Sequence, residues 1–114
     1  MCFHASKSAK CKVAEENIVC YKVLVEDDLS AIYCYKFFKG KLNPTIDLNI
    51  KRARTYMAII NKGYHSYKTI RIALHCGFAW DHIGKFIIPK GATYYSNRTE
   101  YVSDQIIFVE RVKL

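Results

Sequence analysis

The run Ile18-Val19-Cys20-Tyr21-Lys22-Val23-Leu24-Val25 constrains the fold of this chain more than any other segment. β-Branched and aromatic residues fill it, and the charges of Glu26-Asp27-Asp28 stop it, so it reads as a strand. Ala31 to Phe38 repeats the pattern and ends at Lys39-Gly40, and the two runs are expected to pair as a hairpin over a loop of about five residues. The segment before them, Cys2 to Val13, carries Lys7, Lys10 and Lys12 without an acidic residue and reads as a loop or a sheet edge.

Beyond this pair the punctuation is clear. Leu42-Asn43-Pro44 marks a turn, because Pro fixes its own φ and pushes the preceding residue out of the helical region. No period is legible from there to Lys51-Arg52-Ala53-Arg54. Thr55 to Ile60 reads as a short buried strand closed by Asn61-Lys62-Gly63. Ser66 is a helix cap by residue type, and Ile70, Leu74 and Phe78 follow at a spacing of four, which predicts one amphipathic helix from about Tyr67 to Trp80. Lys85 to Ile88, Ala92 to Tyr95 and Gln105 to Val112 read as strands, with Pro89-Lys90-Gly91 as a turn and Ser96-Asn97-Arg98 as a polar tip. The expected architecture is α+β: one domain over residues 1–114, with a small, mainly antiparallel sheet of about five to six strands packed on one main helix.

Length and composition bound the function. At 114 residues, 51% hydrophobic and 25% charged, the chain has room for one core and enough apolar surface to form it. Ten basic residues oppose six acidic ones up to residue 57, and eight oppose four after it, so the formal charge of +8 is spread evenly. Such an excess favours anionic partners: a small anion, a nucleic acid or an acidic face of a host protein. The five cysteines are an odd number and the first residues lack an apolar stretch, which fits a cytoplasmic protein with no signal peptide. No apolar run approaches the ~20 residues that cross a bilayer, so no membrane association is expected.

Polar and aromatic residues gather at turns in the second half. Tyr64, His65, Ser66, Tyr67 and Lys68 lead into the predicted helix, and Lys90 and Tyr94 follow in Ile88-Pro89-Lys90-Gly91-Ala92-Thr93-Tyr94-Tyr95. These residues are the candidate ligand-binding set. The His65 imidazole can donate to a ribose or phosphate, or exchange protons near neutral pH. A braced backbone carbonyl accounts for it equally well. A helix starting at Ser66 to Thr69 would offer free N–H groups to an anion, with Lys68 and Arg71 beside it. No Walker-type or dinucleotide glycine pattern is present, and no cofactor is expected. Cys2, His4, Cys11 and Cys20 lack the close pairing of zinc knuckles, so no metal is expected. Glu100 and Asp104 are the late carboxylates near turns; either can serve as a base, or cap a turn.

Three resemblances follow from these residues. Met1-Cys2 resembles the start of class II glutamine amidotransferases and other N-terminal nucleophile hydrolases, which implies a thiol nucleophile with the amino terminus as base. Met1-Cys2-Phe3, Ile18-Val19-Cys20-Tyr21-Lys22-Val23-Leu24, Gly63-Tyr64-His65-Ser66-Tyr67, Ile88-Pro89-Lys90-Gly91-Ala92-Thr93-Tyr94-Tyr95 and Tyr101-Val102-Ser103-Asp104-Gln105-Ile106-Ile107 resemble small proteins of gut Bacteroidales and their phages, a group that implies no activity. Tyr64-His65 with Glu100 resembles the ADP-ribosyltransferase pattern, although only about fifty residues follow His65. The favoured expectation is a small, basic, non-enzymatic phage or bacterial protein that binds an anionic ligand such as a nucleotide and acts against a host defence. An enzyme using Cys2 or His65, a nucleic-acid binder and a protein-interaction module are the rivals.

Overall fold

The computed structural model describes residues 3–6, 11–25, 29–30, 37–46, 48, 50–54, 57–60, 63–76 and 82–113. Its elements are β1 (Phe3–Ser6), β2 (Lys12–Val13), β3 (Ile18–Val25), β4 (Leu29–Ser30), β5 (Ile50–Arg54), β6 (Met57–Ile60), β7 (Tyr64–Tyr67), α1 (Ile70–Cys76), β8 (His82–Ile88), β9 (Thr93–Ser96), β10 (Glu100–Ser103) and β11 (Ile107–Arg111). The main sheet runs β11-β8-β3-β7-β10-β9-β2, with β4 attached to β3, and β1-β6-β5 form a separate three-stranded sheet. All of these strand pairs are antiparallel.

The α+β class holds, and its details need correction. Seven strands lie along the main sheet, rather than five or six, beside one short helix. Two of the additions, β2 and β10, were hidden because one is only two residues long and the other reads as a polar turn region. The expected partner of β3, Ala31 to Phe38, lies largely outside the described residues; Phe37 and Phe38 themselves belong to no strand. Among the described residues β3 pairs at its end with β4, Leu24 with Ser30 and Val25 with Leu29, and is flanked along its length by β8 and β7.

The helix begins three residues later than its spacing predicted, at Ile70 rather than Tyr67. Tyr64-His65-Ser66-Tyr67 alternates buried and half-buried positions, a period of two, and its backbone pairs with β10. Thr69, not Ser66, is the cap: its Oγ1 accepts from the Ile72 N–H at 3.1 Å. The stretch 77–80, where the helix was expected to end, lies outside the described residues.

Alternation along β3 places Ile18, Cys20, Lys22 and Leu24 on one face of the sheet. Cys20 pairs with Phe86, and Phe108 pairs with the same Phe86 from the other side, so these side chains share that face. The Phe86 and Phe108 rings stack at 4.9 Å, and Phe37 meets Phe86 edge-on at 4.9 Å. Burial of these rings, at roughly 2 to 3 kcal/mol each, makes this the main core. The 37–46 segment is tied to β11 through Gly40 N–H to Phe108 O at 2.7 Å and through two Asn43 donors, backbone and side-chain, on Ile106 O. On the opposite face α1 lies against β3, β7 and β8, and Ala73 and Ile83 are buried.

Candidate functional site

The sequence-predicted residues divide between the two faces of β7. Tyr64 and Ser66 point into the main core. Tyr64 donates its hydroxyl to Pro44 O, and its ring lies 6.5 Å from Phe37. Register carries Tyr94 to the same face through Ser103, which pairs with Tyr94 on one side and Tyr64 on the other. Lys68 reaches over this face: its Nζ sits 5.2 Å from the centre of the Tyr101 ring, and Tyr101 meets Tyr94 edge-on at 6.0 Å. His65 and Tyr67 face the other way, opposite Val102 and Glu100. Lys90 is exposed at its turn, with its N–H on Asn17 Oδ1 at 2.9 Å. Gly91, at φ +92°, supplies the left-handed position of that turn.

One expectation fails on this geometry. The backbone donors of 66–69 do not form an open helix start, because Ser66 lies in the β7–β10 ladder and the Lys68 N–H is given to Thr99 O at 2.9 Å. Strand pairing consumes the groups that an anion would need.

A different hollow uses Tyr67. Between α1 and the β7–β10 pair lies a groove of 660 Å³ lined by Tyr67, Arg71, Ile72, Leu74, His75, Thr99 and Glu100. Arg71 and His75 stand one helical turn apart, on the same side of α1. Tyr67 and Glu100 are cross-strand partners, which sets the phenol and the carboxylate side by side. The groove thus has a basic helical wall, an acidic strand wall, and an aromatic and aliphatic floor. A second hollow, of 470 Å³, lies beside Tyr94 with Lys12, Glu15, Glu16, Asn17 and Ile18. Its charges are exposed and of mixed sign.

The other unusual group is Lys22. Alternation sends it to the core face, between Cys20 and Leu24, where its Nζ donates to His65 O and lies 5.7 Å from the Phe37 ring. Part of the side chain stays accessible, but the carbonyl and the ring enclose its charged end. Desolvation lowers its pKa to about 8, against a smaller opposing pull from the Cys20 thiol. Burial pushes Cys20 up to about 11, while the neighbouring Ser66 hydroxyl and Lys22 pull it down. A thiol so protonated is a packing residue, not a nucleophile. Burial likewise raises Tyr101, in the same direction as its neighbours Cys20 and Tyr94.

The chain matches no family model, no curated protein and no solved structure. Cys2, the nucleophile of the hydrolase expectation, lies outside the described residues. Among the described residues no three of His, Cys, Asp and Glu gather as a metal site would, and no helix is long and apolar enough to cross a membrane.

Arg71, His75 and Glu100 were visible singly in the sequence, but not as a group. The spacing of four between Arg71 and His75 was the available signal. The pairing of Glu100 with Tyr67 was not, since it depends on β10 being a strand.

Proposed function

We propose that this chain is a small, basic, non-enzymatic binding protein whose groove between α1 and the β7–β10 pair takes a nucleotide. The observation that carries the reading is the opposition of Arg71 and His75 on the helix to Tyr67 on the sheet, across a hollow of 660 Å³. That volume falls within the ~300–1,000 Å³ usual for small-molecule sites. A flat base lies over Tyr67 and the apolar floor, and the phosphate meets the basic wall; Arg71 matches its oxygens with a planar fork of donors. The formal charge of +8 draws an anion toward the whole surface. For a protein of phage or bacterial origin, such a site serves to sequester a signalling nucleotide and so blunt a host defence.

Thermal shift against a panel of nucleoside monophosphates tests the reading. Stabilisation of the wild type by at least one of them is expected, with a loss of about tenfold in affinity for Arg71→Ala. An unmoved midpoint for every nucleotide would count against it.

The Lys68–Tyr101–Tyr94 ladder favours a second reading, single-stranded nucleic acid laid across the other face with bases on the phenols. It requires oligonucleotide affinity that falls steeply with salt. Weak binding that does not change with salt disposes of it.

A further inference from the structure

The turn at 38–41 leaves apolar surface in water beside two cations. Phe38 O accepts from the Lys41 N–H at 3.3 Å, and Gly40 stands third in the turn at φ +71°, the sign that a type II turn requires there. Its backbone is held on β11, through Gly40 N–H on Phe108 O at 2.7 Å and Asn43 N–H on Ile106 O at 3.1 Å. The tip therefore presents its side chains in a fixed order. Phe38 is 56% exposed and Leu42 48%, with Lys39 and Lys41 exposed between them. Lys41 Nζ lies 5.7 Å from the centre of the Phe38 ring, and more than half of that residue stays accessible beneath it. No acidic residue occurs from 29 to 46.

Single exposed apolar residues are ordinary. An aromatic and an aliphatic one at the same turn, with lysines between, match a surface that is apolar inside and anionic outside. We infer that the turn at 38–42 docks the protein on an anionic membrane surface. Phe38 and Leu42 enter the boundary between headgroups and acyl chains, while Lys39 and Lys41 lay their stems along it and set their ammonium groups on the lipid phosphates. The aliphatic residue decides between lipid and other anionic partners: a nucleic acid would use the ring and the lysines and leave Leu42 in water. The expectation of no membrane association rested on the lack of a run of spanning length, and a surface anchor needs none. A single acyl chain alone binds with a constant of about 10⁴ M⁻¹, and two side chains bury less apolar surface, so the attachment is reversible and depends on anionic lipid. It is independent of the groove and of the nucleotide reading.

Sedimentation at low salt with vesicles of phosphatidylcholine, alone or mixed with an equal share of phosphatidylglycerol, tests this. The wild type should sediment with the mixed vesicles and stay in solution with the neutral ones. Lys39→Ala with Lys41→Ala should weaken this about 25-fold, from roughly fivefold for each lysine. Phe38→Ser keeps the charge and should weaken it about tenfold. Lys12→Ala with Lys113→Ala removes the same charge at other exposed positions and should cost less than about threefold, since surface attraction fades within a Debye length. A wild type that ignores the mixed vesicles overturns the inference, and that comparison needs no variant to fold. So does an equal loss for the two lysine pairs, which assigns binding to net charge, or a Phe38→Ser variant that binds like the wild type. An oligothymidylate that binds and weakens with the tip variants, with vesicles unbound, assigns the turn to nucleic acid and overturns it too.

Discussion

Lys22 shows at the scale of one residue how a strand's period sets chemistry. Its position between Cys20 and Leu24 was legible as alternation, and so was the face it shares with them. Its cost was not legible, because that depends on the Phe37 ring and the His65 carbonyl that close over it. Lys22 titrates near pH 8 in the folded chain and near 10.5 in the unfolded one, so the unfolded state holds the extra proton between these values. Stability should therefore rise as pH increases through 8, by about 1 kcal/mol between pH 8 and 9. Cys20 works against this from pH 9 upward, because the folded state keeps its proton up to about 11. Urea midpoints should climb from pH 7 to about 9 and then level or fall as Cys20 and the buried tyrosines take over. Lys22→Met, which replaces the charged end with an apolar one of similar length, should be at least as stable at pH 7 and should lose the climb. A climb that persists in the variant assigns the titration elsewhere.

Elements were legible where one period was long and unbroken, and obscure where two periods overlapped. β3 was read to the residue from the five β-branched and aromatic residues among its eight. At 64–76 the sequence offers a period of two running into a period of four, and the helical spacing of Ile70, Leu74 and Phe78 drew the expected boundary too early. Pairing with β10 decides it, and Thr69 then caps what remains. Thr69→Ala should cost about 1 kcal/mol in urea unfolding and should weaken nucleotide binding as well, because α1 forms one wall of the groove. Unchanged stability would show that the cap is not supporting the helix. The turn before β7 is tighter still. Gly63 sits at φ +113°, and a Cβ there would come within 2.4 Å of Leu48 Cδ2 and 2.8 Å of Val102 Cγ2. Gly63→Ala should therefore destabilise by roughly 2 kcal/mol or more, through backbone strain and collision together. A loss within a few tenths of a kcal/mol would mean that the turn relaxes freely.

Across the whole molecule, the α+β class followed from local pattern, but the candidate site did not. Tyr67 and Arg71 are near in sequence, whereas Glu100 reaches them only through strand pairing, and no local signal encodes that register. The same pairing separates residues that the sequence set together: Tyr64 and Ser66 enter the core, while His65 and Tyr67 turn to the other face. Neighbours in a strand are opposite in space, so a row of polar and aromatic residues cannot all line one hollow. The even spread of positive charge was visible from the start, but the acidic wall that gives the groove its polarity was not.

Amide chemical-shift mapping during titration of the ¹⁵N-labelled protein with GMP tests the central claim most directly. The expected result is saturable shifts concentrated at Tyr67, Arg71 to His75, Thr99 and Glu100. Shifts centred instead on Lys68, Lys90, Tyr94 and Tyr101, or none that saturate, would contradict it.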